Sequence, residues 1–206
     1  MSIQGEGAHA GLPCFFIRLS GCNLRCSYCD TQYAYKGGTE RDINDLTAEW
    51  KRSGINLVQI TGGEPLLQPG VYSLMEALLG MGAEVLLETN GSLSIKDVPS
   101  KVVKVVDRKT PGSGESGAWK QDNLRFINRG DQIKFVITDR DDYMWAKKEV
   151  ASNLLTSYAH VIFSAAWDVL SPSDLASWII EDRLAVRFQM QLHKILWGNV
   201  KESDFF

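Results

Sequence analysis

Short apolar runs alternate along the chain with stretches whose apolar residues recur every three or four positions. The runs lie at 14–20 (CFFIRLS), 57–61 (LVQIT), 84–89 (EVLLET), 102–107 (VVKVVD), 132–138 (QIKFVIT), 160–165 (HVIFSA) and 185–192 (AVRFQMQL). They are rich in Val, Ile and Phe and too short for helices, so each predicts a buried strand. Helical patterns fall between several of them. One spans 43–54 and ends in Gly54, and another spans 71–82. A third, 139–155, opens with acidic residues, as a helix N-terminus prefers, and a fourth, 171–182, opens with Ser171 and Pro172.

Strands alternating with helices imply βαβ units and a parallel sheet. About seven strands fall short of the eight of a closed barrel, so an incomplete barrel or an open α/β sheet is expected, its site at the C-terminal ends of the strands. No repeat or low-complexity segment interrupts the pattern, and the whole chain, 1–206, reads as one domain. The Gly- and Ser-rich stretch 108–119 (RKTPGSGESGAW) predicts a flexible or ligand-covering loop.

Composition narrows the function classes. Apolar residues make up 44% of the chain, which argues against disorder, and a net charge of −3 gives no reason to expect a nucleic-acid or membrane partner. No apolar run approaches the roughly 20 residues of a membrane span. The opening MSIQGEGAHAG lacks a secretory pattern, so a cytoplasmic location is expected. Thiols stay reduced there, and a tight cysteine cluster points to metal binding or catalysis.

Such a cluster exists. Of four cysteines, Cys22, Cys26 and Cys29 follow the first strand at the spacing Cys-x3-Cys-x2-Cys, while Cys14 sits on the strand as a small hydrophobe. Three readings compete. A disulfide would leave one thiol idle. A structural zinc site wants four ligands, and the histidines, His9, His160 and His193, all lie outside the motif. An iron–sulfur cluster held by three thiolates would leave one iron open to a small molecule.

The CNLRCSYC motif resembles the signature of the radical S-adenosylmethionine (SAM) superfamily, and ITGGEP (60–65) resembles its GGE motif. The resemblance implies a [4Fe-4S] cluster on Cys22, Cys26 and Cys29 and SAM bound to the open iron, cleaved to a 5′-deoxyadenosyl radical. It implies that the protein supplies binding and orientation. Taken alone, GGEP could be an ordinary strand-to-helix turn. Its glycines, Gly62 and Gly63, would let backbone approach a ligand, and Glu64 could accept from an ammonium group.

Further stretches discriminate within the superfamily. SIQGEG (2–7), FIRLSGCNLRCSYCDT (16–31), ETNG (88–91) and QLHK (191–194) together resemble the 7-carboxy-7-deazaguanine synthases, over nearly the whole chain. That family contracts the ring of 6-carboxy-5,6,7,8-tetrahydropterin with loss of ammonia, on the route to queuosine. The resemblance also implies Mg²⁺, a homodimer and an external electron donor such as flavodoxin.

Arg18 stands in an apolar strand, where a guanidinium needs an anionic partner, and the resemblance makes that partner the substrate carboxylate. It implies Thr31 as Mg²⁺ ligand. Ile3, Gln4, Gly5, Glu6, Thr61, Glu88 and His193 are the remaining candidates for the substrate, His193 placed near the end of the last strand. Tyr28, Asp30, Gly62, Gly63, Glu64, Asp107, Lys109, Ser113 and Ser164 are the candidates for SAM. Two other functions stay open: a glycyl-radical-enzyme activase of the same superfamily, and a non-catalytic zinc- or cluster-binding module. The tail, 198–206, carries no assigned role.

Overall fold

The computed structural model describes residues 1–198, so most of the tail lies outside the described residues. Eight strands form one sheet in chain order: β1 (Ser2–Ile3), β2 (Pro13–Leu19), β3 (Leu57–Gly62), β4 (Glu84–Thr89), β5 (Val103–Asp107), β6 (Gln132–Ile137), β7 (His160–Ala165) and β8 (Arg187–Gln189). From β2 to β8 every pairing is parallel, and β1 adds antiparallel to β2 with Ser2 opposite Cys14. The two ends of the sheet do not pair with each other, so the barrel is partial, as the strand count implied.

Helices α1 (Ile43–Ser53), α2 (Val71–Gly80), α3 (Arg140–Ser152) and α4 (Pro172–Glu181) match the four helical patterns. Local chemistry sets their ends. Asp42 accepts from Asn44 N, and Gly54, with φ of 69°, stops α1 in a left-handed conformation. Asp139 accepts from Asp142 N at the start of α3. From β4 to β6 the chain connects through turns and short 3-10 segments instead of helices.

Two expectations change at the C-terminal side. The strand expected over 185–192 shortens to Arg187–Gln189, and a short helix, α5 (Leu192–Trp197), takes over. β8 is an edge strand whose ladder to β7 ends at the pair Ser164–Gln189. Beyond it the chain turns inward, where Leu192 N donates to Gly5 O at 3.0 Å. His193 therefore sits in the first turn of α5 and not on a strand.

Strand parity separates two environments. The outward residues of β2 to β5, among them Ile17, Ile60, Leu87 and Val106, pack with α1 and α2 into one apolar core. Ile133, Phe135, Ile137 and Phe163 pack with α3 and α4 into a second. Inside the barrel, Cys14, Leu57 and Leu86, with Phe16 and Val103, form a small apolar floor. Above that floor the inward positions turn polar: Arg18, Gln59, Thr61, Glu88, Asp107 and Lys134. The N-terminal segment plugs the gap in the barrel. Gly7 N donates to Gln189 Oε1, and Ala8 N donates to Gln132 Oε1 at 2.8 Å.

Candidate active site

A cavity of about 770 Å³ opens at the C-terminal ends of the strands. Its outer wall is the irregular chain after β2. Cys22, Cys26 and Cys29 all line it, half-buried and unbridged, together with Tyr28, Asp30 and Thr31. Burial pushes the Cys26 thiol up to about 11, so a metal that takes this sulfur as thiolate must supply the charge that displaces its proton. The donor set is three soft sulfurs with no imidazole among them, and it fits iron–sulfur ligation.

Other loops hold this wall in place. Glu64 N donates to Gly21 O at 2.7 Å, Ser27 N to Ser113 O at 3.0 Å, and Arg25 N to Glu115 Oε1 at 2.6 Å. Asn90 Nδ2 donates to Asn23 Oδ1 at 3.2 Å. The stretch 108–119 is held by hydrogen bonds. Thr110 Oγ1 and Gly112 N both donate to the buried Asp142 carboxylate at 2.8 Å, and Ser27 Oγ donates to Gly112 O at 2.7 Å. The loop packs against the cysteine wall through Gly112, Ser113 and Glu115.

The glycines of GGEP have a packing reason. A Cβ on Gly62, whose φ is 152°, would fall 2.0 Å from Leu19 O. One on Gly63 would fall 2.2 Å from Gly21 O and 2.8 Å from Cys22 Cβ. Both glycines line the cavity: Gly62 lets β3 close against Leu19 at the end of β2, and Gly63 lets the chain after β3 lie against the cysteine loop. Glu64 does not reach the cavity. It is fully buried, and its carboxylate accepts from Leu66 N, Thr89 Oγ1 and Asn90 N at 3.1, 2.8 and 2.7 Å. It staples the end of β3 to the end of β4, in place of the expected ammonium partner. Ser113 and Ser164 are likewise buried and off the cavity lining. Ser113 Oγ donates to Thr110 O at 2.6 Å.

Asp107 and Lys109 stand between the two walls. Lys109 Nζ donates to Asp107 Oδ2 at 2.8 Å and lies 5.7 Å from the centre of the Tyr28 ring. Although burial opposes it, the Asp107 carboxylate pushes the Lys109 ammonium above its ordinary range. Asp107 Oδ1 is buried without a hydrogen-bond partner, and so is the Trp167 indole nitrogen on the same cavity. An acceptor and a donor of this kind suit a polar small molecule.

The inner wall is made of strands, the segment 2–6 and the segment 191–198. Arg18 projects from β2, its guanidinium 5.7 Å from the Tyr33 ring centre. Thr61 Oγ1 and Gln59 Nε2 donate to Glu88 Oε2 at 3.0 and 2.9 Å. The buried Gln4 amide donates to Gln59 Oε1. Glu6 Oε1 accepts from Gln191 Nε2 at 2.6 Å. Gly5 lies so close to the His193 ring that a Cβ would fall 2.0 Å from Nδ1, which explains glycine there. Ile3 lines the rim beside Gln4.

Sequence reasoning missed the group at the centre of this wall. Lys134 Nζ lies 2.6 Å from both Glu6 Oε2 and Glu88 Oε1, and 3.8 Å from Asp107 Oδ2. Burial alone would raise the Glu88 carboxyl, but the adjoining ammonium outweighs it and holds the group down to about 2. Lys134 and Gln59 were detectable as lone polar residues inside apolar runs. Parity alone would not have sufficed, because Lys104 has the same appearance yet pairs with Asp131 at 2.9 Å, away from the cavity. Lys194 Nζ pairs with Asp30 Oδ2 at 2.6 Å and ties α5 to the cysteine wall.

Comparisons with known proteins identify the family. Residues 16–109 match the model of the radical SAM superfamily. A 7-carboxy-7-deazaguanine synthase of Koribacter versatilis is 43% identical, over 95% of this chain and 93% of that protein. A namesake from Chlorobaculum tepidum is 40% identical, over 96% and 91%. The crystal structure of QueE from Escherichia coli superposes with a TM-score of 0.75 at 24% identity, over 93% of this chain and 91% of that one.

Proposed function

The chain belongs to the family of 7-carboxy-7-deazaguanine synthases within the radical SAM superfamily, and from that premise we propose how its cavity divides the work. The reaction is the ring contraction of 6-carboxy-5,6,7,8-tetrahydropterin to 7-carboxy-7-deazaguanine with release of ammonia, a carbon–nitrogen lyase step in queuosine biosynthesis. One observation carries the assignment of parts. A single cavity has three cysteine thiols on its outer wall and an arginine with two fixed carboxylates on its inner wall. The activase and the metal-binding module gain no support.

Cys22, Cys26 and Cys29 hold the [4Fe-4S] cluster. With SAM bound, a cluster held there would supply one-electron reductive chemistry. Tyr28, Asp30, Asp107, Lys109 and the backbone at Gly62 and Gly63 orient SAM. Glu64 and Ser113 act indirectly, by fixing the loops that carry those groups, and Ser164, buried in β7 off the cavity lining, is left without a contact to SAM. Arg18 takes the substrate carboxylate as a bidentate fork. Ile3, Gln4, Gly5, Glu6, Thr61, Glu88 and His193 surround the heterocycle and exclude water. Thr31 provides a hydroxyl oxygen to Mg²⁺, with Asp30 beside it; Thr31 Oγ1 lies 2.9 Å from Asp30 Oδ1, an all-oxygen pair suited to a hard cation. The chain acts as one domain, as a cytoplasmic homodimer, with an external electron donor such as flavodoxin.

The test is anaerobic. Protein reconstituted with iron and sulfide receives SAM, dithionite, Mg²⁺ and 6-carboxytetrahydropterin, and the product is read by mass spectrometry. 7-Carboxy-7-deazaguanine is expected over many turnovers. A brown protein that cleaves SAM without forming it would refute the substrate. Thr31→Ala should keep its iron and shift the Mg²⁺ dependence, and an unchanged dependence would remove Thr31 from the metal site.

A further inference from the structure

Glu6 and Glu88 reach the cavity from opposite directions, one from the N-terminal segment and one from β4. Nothing in either stretch alone would keep two carboxylates charged so close together. Lys134, on β6, does so from between them. Its side chain is only 5% exposed, and its ammonium touches one oxygen of each carboxylate. The other two oxygens are also fixed, Glu6 Oε1 by Gln191 and Glu88 Oε2 by Gln59 and Thr61. Every carboxylate oxygen is thus oriented before substrate arrives; Glu6 Oε1, Glu6 Oε2 and Glu88 Oε1 each hold one donor and keep a lone pair as acceptor, whereas Glu88 Oε2 already accepts two.

We propose that Lys134 is a positioning residue for substrate recognition. It locks Glu6 and Glu88 as two anionic acceptors that read a ligand edge carrying adjacent N–H donors, as the aminopyrimidinone ring of a pterin does. This rests on the functional reading above and deepens it. A ligand that offered acceptors at that edge would face two carboxylates with no proton to give.

Other charged groups face the pair from neighbouring elements. Arg18 faces Glu88 from β2, and Asp107, with Lys109 bound to it, faces Lys134 from β5. Asp30 and Lys194 pair with each other at the outer wall, and His193 lines the cavity from α5. None of these contacts Glu6 and Glu88 together. Removing the Lys134 charge leaves two half-buried carboxylates facing each other, and their mutual repulsion then favours a proton on one of them. As pH falls, one of them takes a proton and presents a donor where the substrate also presents one.

The test compares wild type, Lys134→Met and Lys134→Arg as reconstituted holoenzymes, with KM for 6-carboxytetrahydropterin and kcat measured between about pH 6 and pH 8, where an ordinary Glu, near 4.3, stays charged. Wild type and K134R should give a flat KM. K134M, with iron content like wild type, should raise KM by about tenfold or more, the scale of a lost hydrogen-bonded charge. That KM should climb further as pH falls, with kcat falling less than KM rises. A KM for K134M that does not depend on pH overturns the proposal, whatever its size. Should K134M fail to load iron, Glu88→Gln carries the test. Its KM should rise by about tenfold with iron retained, and a wild-type KM would overturn the proposal. Failure of the functional reading is visible separately, as wild type that cleaves SAM yet makes no 7-carboxy-7-deazaguanine.

Discussion

The two walls of the cavity are built by opposite means. The outer wall is a loop without regular structure from Gly21 to Thr31, and its shape comes from what leans on it: glycines that allow contact at Gly62 and Gly63, and the loops at Asn90 and Ser113. The inner wall is carried by strands, and its side chains are already joined into one network around Lys134. The outer wall offers thiols that need a metal to complete them. The inner wall offers charges that need only a ligand. A cofactor site can thus be left to assemble with its cofactor, while a site that must choose among heterocycles gains by being ordered before the ligand arrives.

The largest effect that separates the walls is expected at the cysteines. Cys26→Ala should leave the fold cooperative, with iron loading, visible absorbance and turnover all lost. Retained iron with full activity would break the assignment of the outer wall. Next comes Gly63→Ala, whose added methyl must displace Gly21 or Cys22. It should cost about 1–3 kcal/mol in denaturant unfolding, the usual scale of overpacking, and lower the iron bound per chain. Unchanged stability and iron content would show that the GGEP turn does not shape the cysteine loop.

A smaller effect sharpens the role of Glu64. Glu64→Gln keeps the shape but replaces a carboxylate that accepts three hydrogen bonds. It should destabilise the protein by about 1–3 kcal/mol while SAM affinity, read by equilibrium binding to the reconstituted protein, stays within about twofold. A large loss of SAM affinity at unchanged stability would make Glu64 a direct ligand. The smallest effect concerns acid. Glu88 is held down to about 2, below the ordinary Glu value near 4.3, so its contribution to stability is complete above that ordinary value and is lost as pH falls toward the lower one. Melting temperature should therefore drop over that range in wild type, and Glu88→Gln should flatten part of the drop.

Much of this was legible in the chain. Strand periodicity located β2 to β7 within about a residue because both barrel faces are buried and each run is continuous. The cysteine spacing marked the outer wall, since three thiols within eight positions are carried by one short loop. β1 and α5 were not legible. A two-residue strand has no period, and α5 forms where an edge ladder ends. The inner wall was only partly legible. Arg18, Thr61 and Glu88 stood out through motifs, but the network runs from Gln4 and Glu6, before β2, to Gln191, after β8. No local pattern announces a lysine whose partners lie 46 and 128 residues away.

The most direct test of two separable walls is the ratio of 5′-deoxyadenosine to 7-carboxy-7-deazaguanine made by Arg18→Ala under reducing, anaerobic conditions. Arg18 lies on the inner wall, so the account expects product to fall by about a hundredfold or more, the scale of a lost substrate-positioning contact, while iron content and reductive SAM cleavage persist. Proportional loss of SAM cleavage and product, with iron retained, would mean that Arg18 serves the cofactor as much as the substrate, and would contradict the division of the cavity.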